Sequence, residues 1–102
     1  MMEKQRMIRS KAIRQSARGQ PCTVHAPGCT GDNETTVWAH SNLQLHGKGM
    51  GLKAHDIFGC YACVSCHAWL DQRKPDWREL FWGAFALSLI RLVEIGIIEV
   101  KS

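Results

Sequence analysis

Cysteine is the residue type whose number and spacing in this sequence could do chemistry most directly. Five cysteines lie in 102 residues, and four of them form two pairs. Cys22 and Cys29 are separated by six residues in a turn-rich stretch, and Cys63-Val-Ser-Cys66 is a CxxC pair at the start of a predicted helix. Zinc takes four thiolates most readily as two such pairs, each on a turn or a helix end. The spacing therefore predicts a structural Zn²⁺ site at Cys22, Cys29, Cys63 and Cys66.

The fifth cysteine leaves the ligand set open, because Cys60-Tyr-Ala-Cys63 is also a CxxC pair. Only two of these three neighbouring cysteines can complete a four-cysteine site with the earlier pair. We favour Cys63 and Cys66, because Cys60 lies inside a predicted strand and can be buried there as a small apolar side chain. His25 is an alternative ligand in place of one cysteine. The alternative to a metal site is that the cysteines only fill the core.

Two histidines and an aspartate could form a second, catalytic site. Asp71 follows His67 by four residues, and on a helix this spacing puts both side chains on one face. Together they are a half-site for a catalytic divalent cation, with Mg²⁺ preferred and Mn²⁺ or Zn²⁺ as alternatives. His40 lies where a predicted strand ends, and the order strand, loop, antiparallel strand, helix brings it opposite that face. A histidine that takes a proton from water, beside a cation that offsets charge on a phosphate, can hydrolyse a phosphodiester.

Three segments around these residues resemble a known enzyme family. They are Trp38-Ala39-His40-Ser41-Asn42, Gly49-Met50-Gly51-Leu52-Lys53-Ala54-His55-Asp56, and Cys63-Val-Ser-Cys66-His67-Ala-Trp-Leu-Asp71. Over roughly residues 21–74 the chain is similar to the HNH, or His-Me finger, nucleases with their ββα-metal core. More narrowly, it resembles the small nucleases encoded by lambda-like phages and prophages. The resemblance implies that His40 is the general base, that His67 and Asp71 bind the catalytic cation, and that the paired cysteines hold the structural zinc.

The resemblance is incomplete at two positions. The middle N of the family name has no clear counterpart, so His55 or Asp56 would have to fix the loop that orients His40. Many members also carry Asp or His immediately before the general base as a further metal ligand, whereas this sequence has Ala39 there. The cation would then have two protein ligands, with water and phosphate supplying the rest. Alternatively, the site is degenerate.

Positive charge is concentrated at the amino-terminal end. The chain has a formal net charge of +4, and residues 1–20 hold six of its thirteen basic side chains but only one acid. Such an arm suits a phosphate backbone, since each neutralised phosphate releases counterions. The alternative is a solvated tail without a ligand. Lys48 and Lys53, in and after a glycine-rich part of a long loop, are predicted to contact phosphate near the scissile bond.

The remaining pattern predicts a small α+β fold with a ββα-metal core and a structural zinc. Helix-forming residues occur over residues 1–18, and the later helices are predicted at 63–73 and 77–94. Strands are predicted at residues 34–39 and 57–62, joined by the long loop. The expected organisation is a basic arm at residues 1–20, a zinc-stabilised HNH-like nuclease core at 21–75, and a carboxy-terminal helix that packs on the core at 76–102.

The last predicted helix is largely apolar. Asp76 is expected to cap it, with Glu79 completing a capping box. Its uncharged run from Leu80 to Ile90 is too short to span a membrane. We therefore expect a buried helix, which could also hold a second copy of the chain in a homodimer. Five aromatic residues at near-helical spacing are expected in the core: Trp69, Trp77, Phe81, Trp82 and Phe85.

These observations favour one function over two alternatives. The first residues lack the apolar run of a secretory signal, and clustered cysteines fit a reducing compartment, so a cytoplasmic location is expected. The predicted function is a metal-dependent endonuclease that hydrolyses phosphodiester bonds of nucleic acid, with DNA favoured over RNA. The alternatives are a non-catalytic zinc-binding module that binds nucleic acid, and an adaptor that holds a protein partner through the last helix.

Overall fold

The computed structural model describes residues 7–49 and 52–102, which form a small α+β fold as predicted. Residues 1–6, with the predicted arm's Lys4 and Arg6, lie outside the described residues, as do Met50 and Gly51 of the long loop. The regular elements are, in chain order, α1 (Lys11–Ser16), β1 (Val37–His40), β2 (Gly59–Ala62), α2 (Val64–Asp71) and α3 (Trp77–Glu94). Short 3-10 helices at Asn33–Thr35 and Gln44–His46 precede and follow β1.

The two strands pair antiparallel, with His40 opposite Gly59 at one end. Glycine is needed at this position because a Cβ there would lie 2.5 Å from Nε1 of Trp38 and 2.8 Å from the carbonyl oxygen of Ala39. Without a side chain at Gly59, the start of β2 can lie directly against the end of β1. Helix α2 begins immediately after β2, so the chain runs strand, strand, helix through the part that carries the predicted site.

Strand β1 begins later than the sequence pattern predicted. The side chain of Asp32 accepts a hydrogen bond from the Glu34 N–H at 3.0 Å, and its carbonyl accepts one from the Thr35 hydroxyl at 2.9 Å. These local bonds turn the chain into a 3-10 helix, because a capping aspartate offers the backbone an alternative to a strand. The β-branched residues at 35 and 36 therefore do not extend the strand.

Helix α3 has the predicted bounds, but its predicted capping box is wrong. Asp76 occupies the N-cap position with φ 70°, and its side chain makes no capping hydrogen bond. An N-cap side chain accepts a hydrogen bond from the first turn when its own backbone is extended. In the left-handed conformation of Asp76, the side chain does not reach those N–H groups. The turn between α2 and α3 also contains Arg73 with φ 52°.

Two buried clusters hold the elements together. The first joins the hairpin, the Cys22 loop, α2 and the start of α3, and the second joins α1 to Trp38, Tyr61 and Leu92. Ser88 of α3 accepts a hydrogen bond from the Tyr61 N–H at 3.0 Å and donates one to the Ala84 carbonyl. This contact covers the outer edge of β2, which would otherwise expose an unpaired backbone group.

Only one face of α3 is buried. Phe81, Ala84, Ser88 and Leu92 are buried, whereas Trp82 is 43% exposed. The expectation that all five aromatic residues lie in the core is therefore wrong for Trp82, because β2 and α2 pack against the other face of the helix. Leu87, Ile90 and Val93 are also exposed. Among the described residues, no helix is long and apolar enough to cross a membrane.

The described part of the predicted arm packs on the core. Helix α1 is shorter than the pattern over residues 1–18 suggested, and Ser10 caps it by accepting a hydrogen bond from the Ile13 N–H. Ile13 and Ala17 are buried in the second cluster. Apolar burial thus fixes this helix against β1. As a result, Arg9 and Arg14 lie near the end of that strand.

Candidate active site and metal centre

Four sulfur atoms form a compact cluster at the centre of the first core. The Sγ atoms of Cys22, Cys29, Cys63 and Cys66 all lie within 4.8 Å of one another. The Sγ of Cys29 lies 3.9 Å from that of Cys22 and 3.7 Å from that of Cys63. Tetrahedral zinc with Zn–S bonds of about 2.3 Å separates its sulfurs by about 3.8 Å. The donor set and its spacing therefore fit a metal ion held by four cysteines.

Two local structures direct these sulfurs inward. The loop from Cys22 to Cys29 turns at Gly28, whose φ is 83°, and closes with a hydrogen bond from the Cys29 N–H to the Ala26 carbonyl. Cys63 and Cys66 lie at the start of α2, in its N-cap position and first turn. His25, the alternative ligand, is exposed in the loop and does not belong to the cluster.

The cluster also favours ionised sulfur at one position. Burial opposes ionisation of Cys63, but hydrogen bonds from the Ser65 hydroxyl and from the backbone N–H groups of Cys66 and Gly31 outweigh it and lower the pKa of Cys63 to about 5. Burial raises the pKa of Cys66. A central cation would offset this desolvation and favour thiolates throughout the cluster.

Cys60 lies outside the cluster. Its side chain is fully buried within β2, opposite Ala39. Burial raises its pKa far above the ordinary thiol value, with a smaller contribution from Cys22. It is a small apolar group of the core, as the interpretation of the sequence favoured.

The predicted catalytic residues line a single cleft of about 340 Å³ on the other side of the hairpin. His40, His67, Asp71, Lys48 and Lys53 all contribute to it. The other lining residues were not singled out from the sequence: Arg14, Trp38, Ser41 and Asn42. The cleft has an overall excess of basic side chains, with one carboxylate at its wall.

His40 is held by a buried carboxylate. Its Nε2 lies 2.7 Å from Oδ1 of Asp56, which is 1% exposed. An ionised carboxylate can only accept, so Nε2 carries the proton and Nδ1 of the neutral imidazole is the basic nitrogen. The Asp56 carbonyl also accepts a hydrogen bond from the Trp38 indole at 2.7 Å, which ties the loop to β1 two residues before His40.

Asp56 is kept ionised by the amino-terminal segment. Its Oδ2 accepts hydrogen bonds from the Ser10 N–H at 2.6 Å and from Nε of Arg14 at 3.2 Å, and Arg9 lies 3.6 Å from Oδ1. Burial raises the pKa of Asp56, but the hydrogen bonds from His40 and Ser10 and the charge of Arg14 outweigh it and hold the pKa below its ordinary value. The sequence offered no signal for this pairing, because Arg14 and Asp56 are 42 residues apart.

His55 has a different role from Asp56. Its Nδ1 accepts a hydrogen bond from the Ile8 N–H at 2.9 Å, and the Asp56 N–H donates to the Ile8 carbonyl at 2.9 Å. Arg9 donates to the Ala54 carbonyl at 2.7 Å. The loop before β2 is thus paired with the segment before α1. Of the two candidates for orienting His40, Asp56 contacts it directly. His55 instead binds the segment before α1 through the Ile8 N–H.

His67 and Asp71 form an exposed pair on one face of α2. Nε2 of His67 lies 3.7 Å from Oδ2 of Asp71, and the Asn42 amide donates to Oδ1 of Asp71 at 3.2 Å. Within the described residues, the cysteine cluster is the only group of three or more close metal-type ligands. A cation in the cleft would therefore use this pair together with water or substrate oxygens. Ala39 is buried in the first core and does not line the cleft.

His46, which the sequence left unassigned, is buried behind the cleft. It stacks on Phe58 with ring centroids 4.2 Å apart, and its Nδ1 lies 2.6 Å from the hydroxyl oxygen of Ser41. Burial lowers the pKa of His46. The side chain fixes Ser41, the residue that follows His40, and does not itself line the cleft.

Comparison with known proteins identifies the family. The model of the family described as "Putative nuclease YbcO" matches residues 11–88, from α1 to the buried part of α3. This chain belongs to the YbcO family. A solved structure of "a putative bacteriophage protein" from Escherichia coli str. K-12 substr. MG1655 is 28% identical to this YbcO-family member, with a TM-score of 0.66. The alignment covers 83% of this chain and all of the other.

The solved structure shares the fold, and its description as a bacteriophage protein agrees with the predicted connection to phages. The match to the YbcO family spans the cysteine cluster and the cleft. The family description points to a nuclease, which acts on nucleic acid. No curated protein matches this YbcO-family chain.

Proposed function

We propose that this protein is a metal-dependent endonuclease of the HNH, or His-Me finger, type, acting on DNA in preference to RNA. The observation that carries the proposal is the cleft itself, which collects His40, His67, Asp71, Lys48 and Lys53 although they come from a strand, a loop and a helix. The order β1, β2, α2 is the order that a ββα-metal core requires. Membership of a family described as nuclease supports the same conclusion.

The hydrogen bond between His40 and Asp56 supports the role of His40 as general base. Asp56 holds Nε2 and its proton, so Nδ1 is available to take a proton from a water molecule in the cleft. The buried carboxylate stabilises the imidazolium that this transfer forms, and it fixes the ring while the proton moves. Asp56 is a positioning residue, held in turn by Ser10 and Arg14.

The remaining cleft residues fit a phosphate group. Lys48, Lys53 and Arg14 supply positive charge that favours binding of a phosphodiester. His67 and Asp71 are the residues that would hold the catalytic cation, and Asn42 orients the carboxylate. Bound there, Mg²⁺ would offset charge on the phosphate and stabilise the leaving oxygen; Mn²⁺ or Zn²⁺ are alternatives.

The cysteine cluster has a structural role in this proposal. Zinc held by Cys22, Cys29, Cys63 and Cys66 would join the first loop to the start of α2, four residues or fewer before His67. This fixes the helix that carries the catalytic cation. A thiolate site of this kind also fits a reducing compartment such as the cytoplasm.

The test is a supercoiled-plasmid nicking assay on the wild type and His40→Asn. Asparagine cannot act as a base, and Asp56 keeps its partners Ser10 and Arg14, so the variant should remain folded and lose at least a hundredfold of the metal-dependent activity, the lower range of a general-base contribution. The reactions are run in Mg²⁺, in Mn²⁺ and in EDTA, after circular dichroism has established folding.

The matched control is His25→Asn, which changes an exposed histidine outside the cleft. Asparagine tolerates the left-handed backbone at that position, where φ is 52°. Equal nicking by the two variants would show that His40 is not the base. Absence of nicking by the wild type on plasmid, branched DNA and RNA would reject the enzyme.

One observation favours the alternative of a non-catalytic module that binds nucleic acid. Ala39 is buried, so the position before His40 contributes no third ligand for a cation. A module of this kind would bind nucleic acid with equal affinity in Mg²⁺ and in EDTA. The proposed enzyme should bind more tightly when a divalent cation is present.

A further inference from the structure

A second concave surface of about 610 Å³ lies beside the catalytic cleft. We call it the basic groove; its polar and aromatic lining includes Asn42, Gln44, Lys48, Arg73, Trp77 and Arg78. Asn42 and Lys48 line the catalytic cleft as well. The two hollows therefore adjoin at these two residues.

The charge of the basic groove is uncompensated. Lys48, Arg73 and Arg78 contribute three cations, and none of the residues that line the groove carries a carboxylate. Within the described part of the chain, none of these three side chains forms an ion pair, whereas Arg14 pairs with Asp56 and Arg91 pairs with Glu94. Asp76 and Glu79 are the nearest acids in sequence to Arg78, and they line a shallow hollow on the same turn together with Arg73 and Arg78, without an ion pair to either arginine. Three converging cations without an acidic partner indicate an anionic ligand.

The backbone supports this display of charge. Arg73 has φ 52°, a left-handed conformation that residues other than glycine rarely adopt, and it lies in the short turn between α2 and α3. The guanidinium of Arg78 stacks 5.5 Å from the centre of the Trp77 ring. Stacking restricts the arginine and leaves its N–H groups free to donate.

We propose that the basic groove binds the phosphate backbone of the nucleic-acid strand next to the scissile phosphate. This inference rests on the proposed nuclease function and names its extended substrate contact. Lys48 lies between the hollows, and Arg73 and Arg78 contact phosphates further along the strand. Because these contacts are to phosphate, they position the strand without reading its sequence. The extended contact surface for nucleic acid thus lies on the turn between α2 and α3, while Arg9 and Arg14 of the amino-terminal segment contact Asp56.

The test compares Arg73→Gln/Arg78→Gln with the control Lys11→Gln/Lys101→Gln, which makes the same change in net charge at exposed positions outside the groove. All measurements are made on the zinc-loaded protein in the His40→Asn background, without added Mg²⁺ or Mn²⁺, so that binding is independent of cleavage. Affinity for short fluorescent duplexes of two unrelated sequences is measured as a function of salt concentration. The groove variant should bind both sequences more weakly, and its slope of log K against log salt should decrease by about 2, one for each lost phosphate contact.

The outcomes separate this inference from the function on which it rests. A groove variant that binds like the control, or one that loses affinity for one sequence only, would overturn the inference even if His40 proves to be the base. Weaker binding and a smaller slope support the groove even if the wild type cleaves nothing, in which case only the enzyme proposal fails. Circular dichroism of both double variants establishes that a change in binding does not come from unfolding.

Discussion

At the scale of single residues, the function of each histidine depends on what its ring contacts. His40 contacts the carboxylate of Asp56, and His55 accepts a backbone hydrogen bond from Ile8. His46 is enclosed by aromatic rings, and His67 is exposed beside Asp71. The four side chains have identical chemistry in isolation, so their different environments determine which one can act as a base, a ligand or a structural group.

His46 gives a pH-dependent prediction for stability. Burial lowers its pKa from the ordinary value of 6.5, so the folded protein keeps the ring neutral while the unfolded chain takes up a proton. The stability from the neutral ring is complete above about pH 6.5 and is lost as the pH falls from there towards the lower, folded-state pKa. His46→Gln should cost about 1–3 kcal/mol at neutral pH. The difference in free energy of unfolding between the wild type and His46→Gln is measured by urea unfolding. It should be smaller one pH unit below 6.5 than at neutral pH, by up to about 1.4 kcal/mol.

The control for this prediction is His25→Asn, because His25 is an exposed histidine. Its stability relative to the wild type should be the same at both pH values, in buffers with excess Zn²⁺. If the stability lost in His46→Gln relative to the wild type were the same at both pH values, or larger at the lower pH, burial of a neutral ring would be contradicted.

At the scale of elements, the cysteine cluster connects a loop to a helix. The loop between Cys22 and Cys29 has no regular structure of its own, and α2 is only eight residues long. Neither piece would hold its shape alone, because isolated helices of this length are marginal in water. A metal ion held by the four close sulfurs would link the two, and α2 would extend this link to His67 and Asp71.

This arrangement predicts opposite behaviour for two adjacent cysteines. Cys63→Ala removes a ligand, so the purified protein should contain little zinc and should unfold far below the wild type, since structural zinc supplies folding free energy. Cys60→Ala removes a buried sulfur outside the cluster and should keep the full zinc content at a cost of about 1 kcal/mol, that of a methyl-sized group. Zinc is measured by elemental analysis, and unfolding by circular dichroism.

The reverse result would refute this ligand set. If Cys60→Ala lost the zinc while Cys63→Ala retained it, Cys60 and Cys66 would be the ligands that complete the site with Cys22 and Cys29. Equal zinc loss in both variants would indicate that the hairpin rearranges when either sulfur is removed.

At the scale of the whole molecule, segments far apart in the chain complete the site. The segment before α1 lies against the loop before β2, where the Ser10 N–H donates to the carboxylate of Asp56, and α3 covers the outer edge of β2. Helix α3 also exposes a row of apolar side chains at Leu87, Ile90 and Val93. The expected homodimer through this helix stays a prediction.

The dimer is tested by light scattering on the eluted protein. If a second copy covers the row on α3, the wild type should have twice the mass of the chain at micromolar concentration. Ile90→Glu should then be monomeric, because burying an unpaired charge at the contact costs more than the contact gains. Leu45→Glu, at a leucine exposed outside α3, is the control and should remain dimeric. A monomeric wild type would reject the dimer.

Local patterns predicted much of the fold. The α+β class, the order of two strands and a helix, and the bounds of α3 follow from composition, turn residues and periodicity, which act over a few residues. The pattern failed where a short-range polar contact competed with it. Asp32 bonds to the backbone after it and delays β1, and Asp76 adopts a left-handed conformation in place of a cap.

The sequence by itself determined which residues were available for chemistry: two spaced pairs of cysteine, a histidine at a strand end, and a histidine and an aspartate four residues apart on a helix. These are properties of residue type and short spacing, which the sequence shows without a structure. Only the tertiary structure decided that Asp56 holds His40, that Arg14 and Ser10 hold Asp56, and that Arg73 and Arg78 share a groove with Lys48. Those contacts join residues far apart along the chain, and they exist only because burial of the apolar faces of α1 and α3 against the hairpin brings the segments together.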